Sequence, residues 1–451
     1  MTDLAAHALS RFGLGAKPGE RETIAEDPAA WVAEQLAATP DDNLAYEGRP
    51  RTSEIAELST NAQQLRRQAA MDPSLSDAAD QARSDLFNVY MDDVVARFKQ
   101  SAATTTPIQE RLVHFWTNHF TVSAAKNDVR PFVGAFEREA IRPNLQRSFY
   151  DMLVAAEQHP AMLTYLDNTR SIGPNSPAGL RRDAGINENL AREILELHTV
   201  STAAEYTQAD VEAFAKIITG WTVELSPLNT ADIGTFKFEE RFHEPGTHTV
   251  LGTDYAENGV EQGENLLRDL ALHSATANFV ATKLVRHFVS DTPAAEDIDI
   301  VANTFLSTDG DLSAVHSAVL GLTNAWLPNF SKFRQPEEFL IALGRSAGIP
   351  AQFENLIPTI LKEMGQQVYG PPSPAGWPDV GGYWLSGQSV MRRADVSFVT
   401  GRQLGGADSV TLLEDLYGDL LSAETRDILT GVRSQITGLS MALASPELLY
   451  R

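Results

Sequence analysis

The sequence predicts a mainly α protein, built as one large multi-helix single domain over residues 1–451 with at most one small β-hairpin. Apolar residues recur at three- and four-residue spacing through most of the chain, whereas strand-like alternation is confined to one short stretch. Hydrophobic residues make up 43% of the 451 positions, which is enough for one large core. Glycine and proline are almost absent inside the strongest periodic segments, as helices require.

The clearest helix is predicted over 106–122. Thr106 supplies the cap, Pro107 takes the first helical position, and Gln109 is placed to complete a capping box. The predicted core face consists of apolar residues at helical spacing, namely Ile108, Leu112, Phe115 and Trp116.

Further helices are predicted along the rest of the chain. Asn187 is a suitable cap for a helix over 187–200, and a third helix is expected from Thr207 to Trp221, ending at Gly220. The core face of the 187–200 helix is marked by Leu190, Ile194 and Leu197. The same signals predict helices at 27–38, 54–70, 76–101, 131–142, 146–157, 260–272, 274–290, 296–307, 311–321, 334–346, 352–364, 389–403, 409–418 and 422–443.

Three segments depart from the simple helical pattern. They are interpreted as a helical insertion at 39–105, a loop and hairpin excursion at 222–259, and a loop rich in glycine, proline and aromatic residues at 365–388. Within the excursion, 234–241 alternates apolar and polar residues, and we expect it to pair with 249–251 across the turn at 243–246.

The 365–388 loop sets Trp377, Tyr383 and Trp384 among glycines and prolines. Large aromatic side chains on such a restricted backbone form a rigid surface at low entropic cost. The loop is therefore interpreted either as a ligand-facing wall or as an aromatic plug in the core.

The charge balance is strongly acidic, with 36 Lys and Arg against 60 Asp and Glu and a formal net charge of −24. Such a chain repels nucleic acid phosphates, so we expect no nucleic acid partner. No long uninterrupted apolar window occurs, which predicts no membrane insertion. No signal peptide is visible at the N-terminus, and the sequence alone indicates a cytoplasmic protein.

The chain contains no cysteine, which excludes disulfides, thiolate nucleophiles and cysteine-type metal sites. Any bound metal must be held by histidine, carboxylate or carbonyl groups. Two helical segments, 111–120 and 187–199, concentrate histidines beside carboxylates, amides and an indole. We therefore expect a site between the helices at 106–122, 187–200 and 274–290, with ligand-binding candidates His114, Trp116, Asn118 and Trp377.

Several blocks, in order along nearly the whole chain, carry a resemblance to a known family. They lie at 8–15, 114–120, 159–168, 187–199, 214–221, 283–289, 376–378 and 444–451. On these blocks the chain resembles the bacterial domain-of-unknown-function 1800 family, whose members are uncharacterised. The resemblance implies a sulfatase-like partner protein and a shared extracytoplasmic task, and hence a periplasmic location. One departure is that relatives tend to carry a lysine after His-Asp-x-Gly-x, whereas this chain has His243-Glu-Pro-Gly-Thr-His248.

A metal-dependent enzyme is the first function considered. On an ideal helix His114 and His119 lie about 140° apart, as do Glu193 and His198, so these four side chains cannot face one ion together. The best ligand set combines the inward-facing residues His119, His198 and His287 with Glu193. Such a set suits a divalent metal such as Zn, Fe or Cu. The alternative is that these histidines are hydrogen-bonded inside a polar core network.

Two other functions stay open at this stage. A carboxylate-based glycosidase or lyase would use Glu193 and Glu196 with Arg192 between them, although Arg192 is equally explained by a line of structural ion pairs. A non-enzymatic binding or assembly module would use the Trp377 loop to grip a carbohydrate, a peptide or the sulfatase-like partner. No Gly-x-Ser-x-Gly, Walker or strand-linked Gly-x-Gly-x-x-Gly pattern is present, so serine hydrolase, NTPase and Rossmann functions have little support.

Overall fold

The computed structural model describes residues 3–39, 45–181, 185–226, 232–404 and 407–451. Positions 40–44 of the predicted insertion and 227–231 of the predicted excursion lie outside the described residues. The mainly α prediction is confirmed. The first half of the chain contains helices α1 (Leu4–Arg11), α2 (Glu20–Thr23), α3 (Pro28–Ala37), α4 (Thr52–Ala69), α5 (Ser76–Ala103), α6 (Pro107–His119), α7 (Val133–Phe136), α8 (Phe149–Glu157), α9 (Pro160–Tyr165), α10 (Asn189–Glu193) and α11 (Gln208–Ile217).

The second half contains helices α12 (Val260–Ala271), α13 (Ser274–Phe288), α14 (Ala295–Ser307), α15 (Leu312–Leu320), α16 (Pro336–Ala347), α17 (Ile357–Glu363), α18 (Gly381–Trp384), α19 (Gly387–Gly401), α20 (Ser409–Tyr417), α21 (Ala423–Thr430), α22 (Gln435–Ala442) and α23 (Pro446–Leu449). Two π-helical segments span Glu137–Ile141 and Ile194–His198. Short 3-10 turns lie at Pro73–Leu75, Arg130–Phe132, Arg142–Asn144, Asn168–Arg170, Gly179–Arg181, Thr202–Ala204, Glu240–Phe242, Thr323–Trp326, Ala351–Leu356 and Gly418–Leu420.

Helix α6 begins as predicted, with Thr106 at the cap and Pro107 at the first position. The predicted capping box is wrong, because the Gln109 amide reaches another helix. Its Nε2 donates to the carbonyls of Gln35 at 3.0 Å and Leu36 at 2.9 Å, near the end of α3. The helix is therefore tied at its start to α3, and its apolar face is fully buried.

The helix predicted over 187–200 is divided into α10 and the π-helical segment Ile194–His198. The predicted cap is displaced by one residue, because Glu188 occupies the N-cap position, while Asn187 Oδ1 accepts from the Asn189 amide at 2.9 Å just before it. A π-helix bonds residue i to i+5, so residues five apart lie closer to one face than in an α-helix. The predicted 140° between Glu193 and His198 is therefore wrong.

Two predicted helices end earlier than their periodicity indicated. Helix α11 stops at Ile217, and Trp221 begins a strand. Gly220 makes this change of direction at φ 85°, where a Cβ atom would lie 2.9 Å from the Glu239 carbonyl oxygen. The helix predicted over 422–443 is broken into α21 and α22, and Ser434 caps the second part through its contact with the Thr437 amide.

The strands pair differently from the prediction. In the described residues, strands β1 (Trp221–Val223) and β2 (Phe236–Phe238) form one antiparallel pair, and β3 (His248–Val250) and β4 (Thr253–Tyr255) form another. The expected pairing of 234–241 with 249–251 is wrong. The reason lies in the turn after β3, where Leu251 and Gly252 both have positive φ and so allow a tight two-residue hairpin.

One cluster of buried apolar side chains extends from Ala5 to Leu448 and holds most helices together. Helix α13 packs against α14 and α15 and contributes Val280, Leu284 and Phe288 to this cluster. Its other face carries the polar residues of the site. In the part of the chain that the structure describes, no helix is both long and apolar enough to cross a bilayer.

Candidate functional site

A cavity of about 320 Å³ lies where α6, α13 and α16 meet the glycine-, proline- and aromatic-rich loop at 365–388, called the aromatic loop from here on. Helix α13 brings Lys283, Arg286 and His287 to it, because residues three and four apart share one helix face. The cavity thus receives three basic side chains from the polar face of a helix whose opposite face is buried in the core.

The centre of the site is a pair formed by the buried His287 and the partly buried Asp379. His287 Nδ1 lies 2.7 Å from Asp379 Oδ2, which reaches it from the aromatic loop. The His287 side chain is almost fully buried, and its Nε2 has no hydrogen-bond partner among the described residues. When Nδ1 carries the ring proton and donates it in a hydrogen bond to the carboxylate, Nε2 keeps a free lone pair.

The Asp379 carboxylate is held in its ionised form. Burial alone raises its pKa, but Lys332, His287 and Arg451 together keep the pKa of Asp379 well below its usual range. Lys332 Nζ lies 3.7 Å from Asp379 Oδ1 and is itself fixed by Asp291 Oδ1 at 2.6 Å. The carboxylate is therefore a constant anionic partner for the imidazole.

Burial lowers the pKa of His287 from its ordinary value of 6.5, while the neighbouring Asp379 carboxylate acts in the opposite direction. The ring is consequently neutral at pH 7. A neutral imidazole with an oriented, unbonded nitrogen is the form that accepts a proton.

A second layer of buried charge supports the pair from the core side. Glu338 of α16 accepts from Arg111 at 2.5 Å and pairs with Arg451 at 3.1 Å. Arg451 also donates to the His287 carbonyl at 3.0 Å, and Arg111 donates to the Gly13 carbonyl at 2.6 Å. These contacts join the first and last blocks of the chain to the helix that carries His287.

Asn118 fixes the backbone of Trp377 with two hydrogen bonds. Its Nδ2 donates to the Trp377 carbonyl at 2.9 Å, and its Oδ1 accepts from the Trp377 amide at 2.7 Å. Gly376 has φ 81°, and a Cβ atom there would lie 2.5 Å from the Asn118 carbonyl oxygen. The loop can therefore approach α6 this closely only with glycine at position 376.

The Trp377 indole lines the cavity and is half-buried. Its ring lies 5.5 Å from that of Trp384, whose Nε1 donates to the Pro378 carbonyl at 2.9 Å. The Trp377 Nε1 is buried without a hydrogen-bond partner in the described structure. Because this N–H can only donate, it is a buried donor without an acceptor among the described residues.

The candidates predicted from the sequence divide into two groups. Those that line the cavity are His114, Asn118, Trp377 and His287, and those that do not are Trp116, His119, His198, Arg192, Glu193 and Glu196. His114 is fixed from the other side by the Ser101 hydroxyl, 3.0 Å from its Nε2. Trp116 is fully buried on the apolar face, with its Nε1 donating to His316 Nε2 at 3.0 Å.

The predicted metal ligands make separate contacts. His198 Nδ1 lies 2.7 Å from Glu157 Oε1 in a fully buried pair, and His119 Nε2 lies 3.1 Å from the His198 carbonyl oxygen. His287 is instead bonded to Asp379. In the described residues no group of three or more His, Asp or Glu side chains is arranged to hold a metal ion.

The predicted carboxylate site lies on a partly exposed face. Arg192 pairs with Glu188 at 3.0 Å and with Glu196 at 3.6 Å, which forms a line of ion pairs along one helix face. Burial raises the pKa of Glu193, and the charge of His198 acts in the opposite direction. None of Arg192, Glu193 and Glu196 lines the His287 cavity.

Sequence reasoning missed Asp379, Lys283 and Arg286. The two cations were visible in the 283–289 block, where Lys283, Arg286 and His287 have the spacing of one helix face. Asp379 had a weaker signal, since it follows Trp377 by two residues in a loop already expected to carry function.

The fold and cavity define a helical protein with a His–Asp pair among the residues that line its cavity. The chain belongs to the family described as "Protein of unknown function (DUF1800)", whose model matches residues 7–450. The resemblance stated from the sequence is thereby confirmed. No curated protein and no solved structure matched the chain.

Proposed function

We propose that the cavity is the active site of an enzyme in which His287 accepts a proton. The observation that carries this proposal is the position of the imidazole. Its Nδ1 lies 2.7 Å from the ionised Asp379, and its Nε2 is buried and unbonded in a residue that lines the cavity. A positioned general base of this kind contributes on the order of 10²–10⁴-fold to a reaction rate.

The pair supplies a complete proton-transfer step. A proton from water or from the substrate moves to Nε2, and the imidazolium that forms is stabilised by the carboxylate at Nδ1. The same imidazolium returns the proton to the product or leaving group. Asp379 keeps the ring in the tautomer that leaves Nε2 free.

The lining favours activation of water or substrate over a covalent intermediate. No serine or cysteine side chain lines the cavity as the structure describes it, and the hydroxyl groups present belong to Thr117, Thr121 and Tyr369. Tyr369 lies under the Arg97 guanidinium, and burial raises its pKa well above the ordinary value. The proposed reaction is therefore a hydrolysis by activated water or the removal of a substrate proton.

Acid–base chemistry at His287 has more support than the other functions predicted from the sequence. A metal-dependent enzyme would need the histidines and Glu193 to converge, and they contact different partners. A carboxylate-based glycosidase would need a substrate cleft at Glu193 and Glu196. Binding to a carbohydrate, a peptide or a sulfatase-like partner stays a prediction, and the experiment below separates it from catalysis.

The experiment compares the wild-type chain with His287→Gln in a metabolite extract and in a panel of ester, amide, glycoside, phosphate-ester and sulfate-ester substrates. Mass spectrometry should show at least one compound that the wild type converts and His287→Gln leaves unchanged. His273→Asn is the matched control, because His273 is an exposed residue at the start of the same helix and asparagine preserves its capping role.

Two results would contradict the proposal. One is conversion of the same compound by His287→Gln at the wild-type rate. The other is a compound retained by the wild-type protein without any conversion, which would support the binding module.

A further inference from the structure

We infer that the cavity recognises an oxyanion group, a carboxylate, phosphate or sulfate on a small molecule, through Lys283 and Arg286. This inference rests on the proposed function, because it names the class of ligand that the His287 site takes. It is carried by two basic side chains that line the same cavity and lack an anionic partner.

Lys283 and Arg286 are both partly buried in a carboxylate-rich chain, yet neither pairs with a described carboxylate. Carboxylates outnumber basic residues by 60 to 36. Within the described ranges no carboxylate lies within 4.0 Å of the Lys283 ammonium or the Arg286 guanidinium, and neither group makes a side-chain hydrogen bond. The described partner of Lys283 is the Phe279 ring, 5.3 Å from its Nζ.

Buried arginines elsewhere in the molecule are fixed by ion pairs or by backbone carbonyls. Arg142 pairs with Glu110 at 2.5 Å, and Arg345 pairs with Glu20 at 3.1 Å. Where no carboxylate is near, backbone carbonyls serve instead, as in the contact of Arg11 with the Val289 carbonyl at 2.9 Å. Lys283 and Arg286, which are partly buried at the cavity, have neither kind of partner among the described residues, so no ion pair or carbonyl contact there holds them in place.

The two cations are also placed to act together. They lie one turn apart on α13, and Lys283 is one turn before His287. Burial lowers the pKa of Lys283 to about 8, Asp379 acts against this, and the neighbouring Arg286 lowers the pKa further. An anion between the two cations would relieve their repulsion and hold a substrate beside the His287 imidazole.

The remaining charges of the cavity are already matched. Glu337 pairs with Arg97 at 2.8 Å, Glu338 with Arg111, and Asp379 with His287. The unbonded Trp377 Nε1 adds a neutral donor to the two free cations. The groups left for a ligand are therefore mainly donors, which suits an acceptor-rich anion.

The experiment measures binding of sodium phosphate, sulfate and acetate by calorimetry and thermal shift at pH 7, with chloride at equal ionic strength as the reference. The wild-type protein should bind at least one of these oxyanions saturably. Lys283→Met and Arg286→Met should each weaken that binding at least tenfold. Whichever oxyanion binds best identifies the shape of the recognised group.

Three further variants make the test specific. Lys362→Met removes the same charge from an exposed position outside the cavity and should bind like the wild type. Lys283→Arg keeps the charge and should retain binding, which separates loss of charge from loss of fold. His287→Gln should also retain oxyanion binding, because it removes the base and leaves both cations.

The inference is overturned if the wild type shows no saturable oxyanion binding, or if both methionine variants bind like the wild type. If binding fails while conversion still depends on His287, the oxyanion inference fails alone. If oxyanions bind but His287→Gln converts substrate normally, the proposed function fails alone.

Discussion

His287 and Asp379 are 92 positions apart in the chain, yet Nδ1 of the histidine lies 2.7 Å from Oδ2 of the aspartate. The contact joins a rigid helix to a glycine- and proline-rich loop. It depends on Asn118, which holds the loop two residues before Asp379, and on Lys332, which holds the carboxylate. Asn118 and Lys332 therefore support the His287–Asp379 contact, and neither bonds to the Nε2 atom of His287 in the described structure.

Replacing Asp379 by Asn should slow conversion by on the order of 10²–10⁴-fold, because the ring loses the anion that orients it and stabilises its protonated form. The rate is measured on the compound found with the wild type. Asp395→Asn removes an exposed carboxylate and should leave the rate unchanged. Equal rates in Asp379→Asn and the wild type would contradict the role of the pair.

Asn118→Ala removes both hydrogen bonds to the Trp377 backbone. We expect the free energy of unfolding to fall by about 1–3 kcal/mol, because a carbonyl and an amide lose their partner. Urea unfolding measures the change. Asn278→Ala removes an exposed amide bonded only to the Ser274 carbonyl and should cost much less. Equal costs in the two variants would show that Asn118 does not hold the loop.

Trp377→Ala tests whether the indole is a ligand-facing wall or a core plug. Because the side chain is half-buried and lines the cavity, the cost should be about 1 kcal/mol or less, a few degrees in melting temperature. Conversion of substrate should be lost. A fall of about 3–5 kcal/mol in the free energy of unfolding would show that the indole is a core plug and would contradict the ligand-facing wall. Trp377→Phe keeps the ring and isolates the contribution of Nε1.

Lys283 should make the free energy of unfolding change with pH in the alkaline range. Its pKa is about 8 in the folded chain and 10.5 in its ordinary state, so the unfolded chain binds more protons between these values. Stability should therefore rise, relative to Lys283→Met, as the pH increases from about 8 to about 10.5. Urea unfolding of both proteins across this range measures the difference. A falling or flat difference would contradict the assigned burial of the ammonium group.

His198→Ala should cost about 3–5 kcal/mol, because it leaves the fully buried Glu157 carboxylate without its partner. Glu157→Gln should cost less, since it removes the buried charge. Elemental analysis of the wild type, His119→Ala and His198→Ala tests the predicted metal set. Loss of a stoichiometric metal in both His119→Ala and His198→Ala would support ligation, and retention in both would refute it.

The sequence predicted the parts of the site that depend on local pattern. The start of α6 and its apolar face placed Trp116 toward the core, whereas the prediction that Trp116 binds a ligand has no support from the cavity lining. The composition of the loop singled out Trp377. These inferences use only neighbours along the chain, and helical spacing is enough to make them.

The remaining features depend on how distant segments meet. The contact of Asp379 with His287 joins residues that are 92 positions apart. Hydrophobic periodicity within one helix cannot predict such a contact. The predicted angle of about 140° between Glu193 and His198 was also wrong, because it assumed ideal α geometry where the chain forms a π-helical segment. The prediction of the strand pairing was wrong for a similar reason. Leu251 adopts a positive φ in the tight turn between β3 and β4, and its residue type does not indicate this conformation.

The central claim is that His287 holds its proton on Nδ1 and leaves Nε2 free to accept one. Nitrogen NMR of histidine-labelled protein measures this directly, with His287→Gln used to assign the signals. At pH 7 the account predicts a neutral ring with a protonated Nδ1 and an unprotonated Nε2. A signal showing a protonated Nε2 at pH 7, in either the neutral ring or the imidazolium, would contradict it.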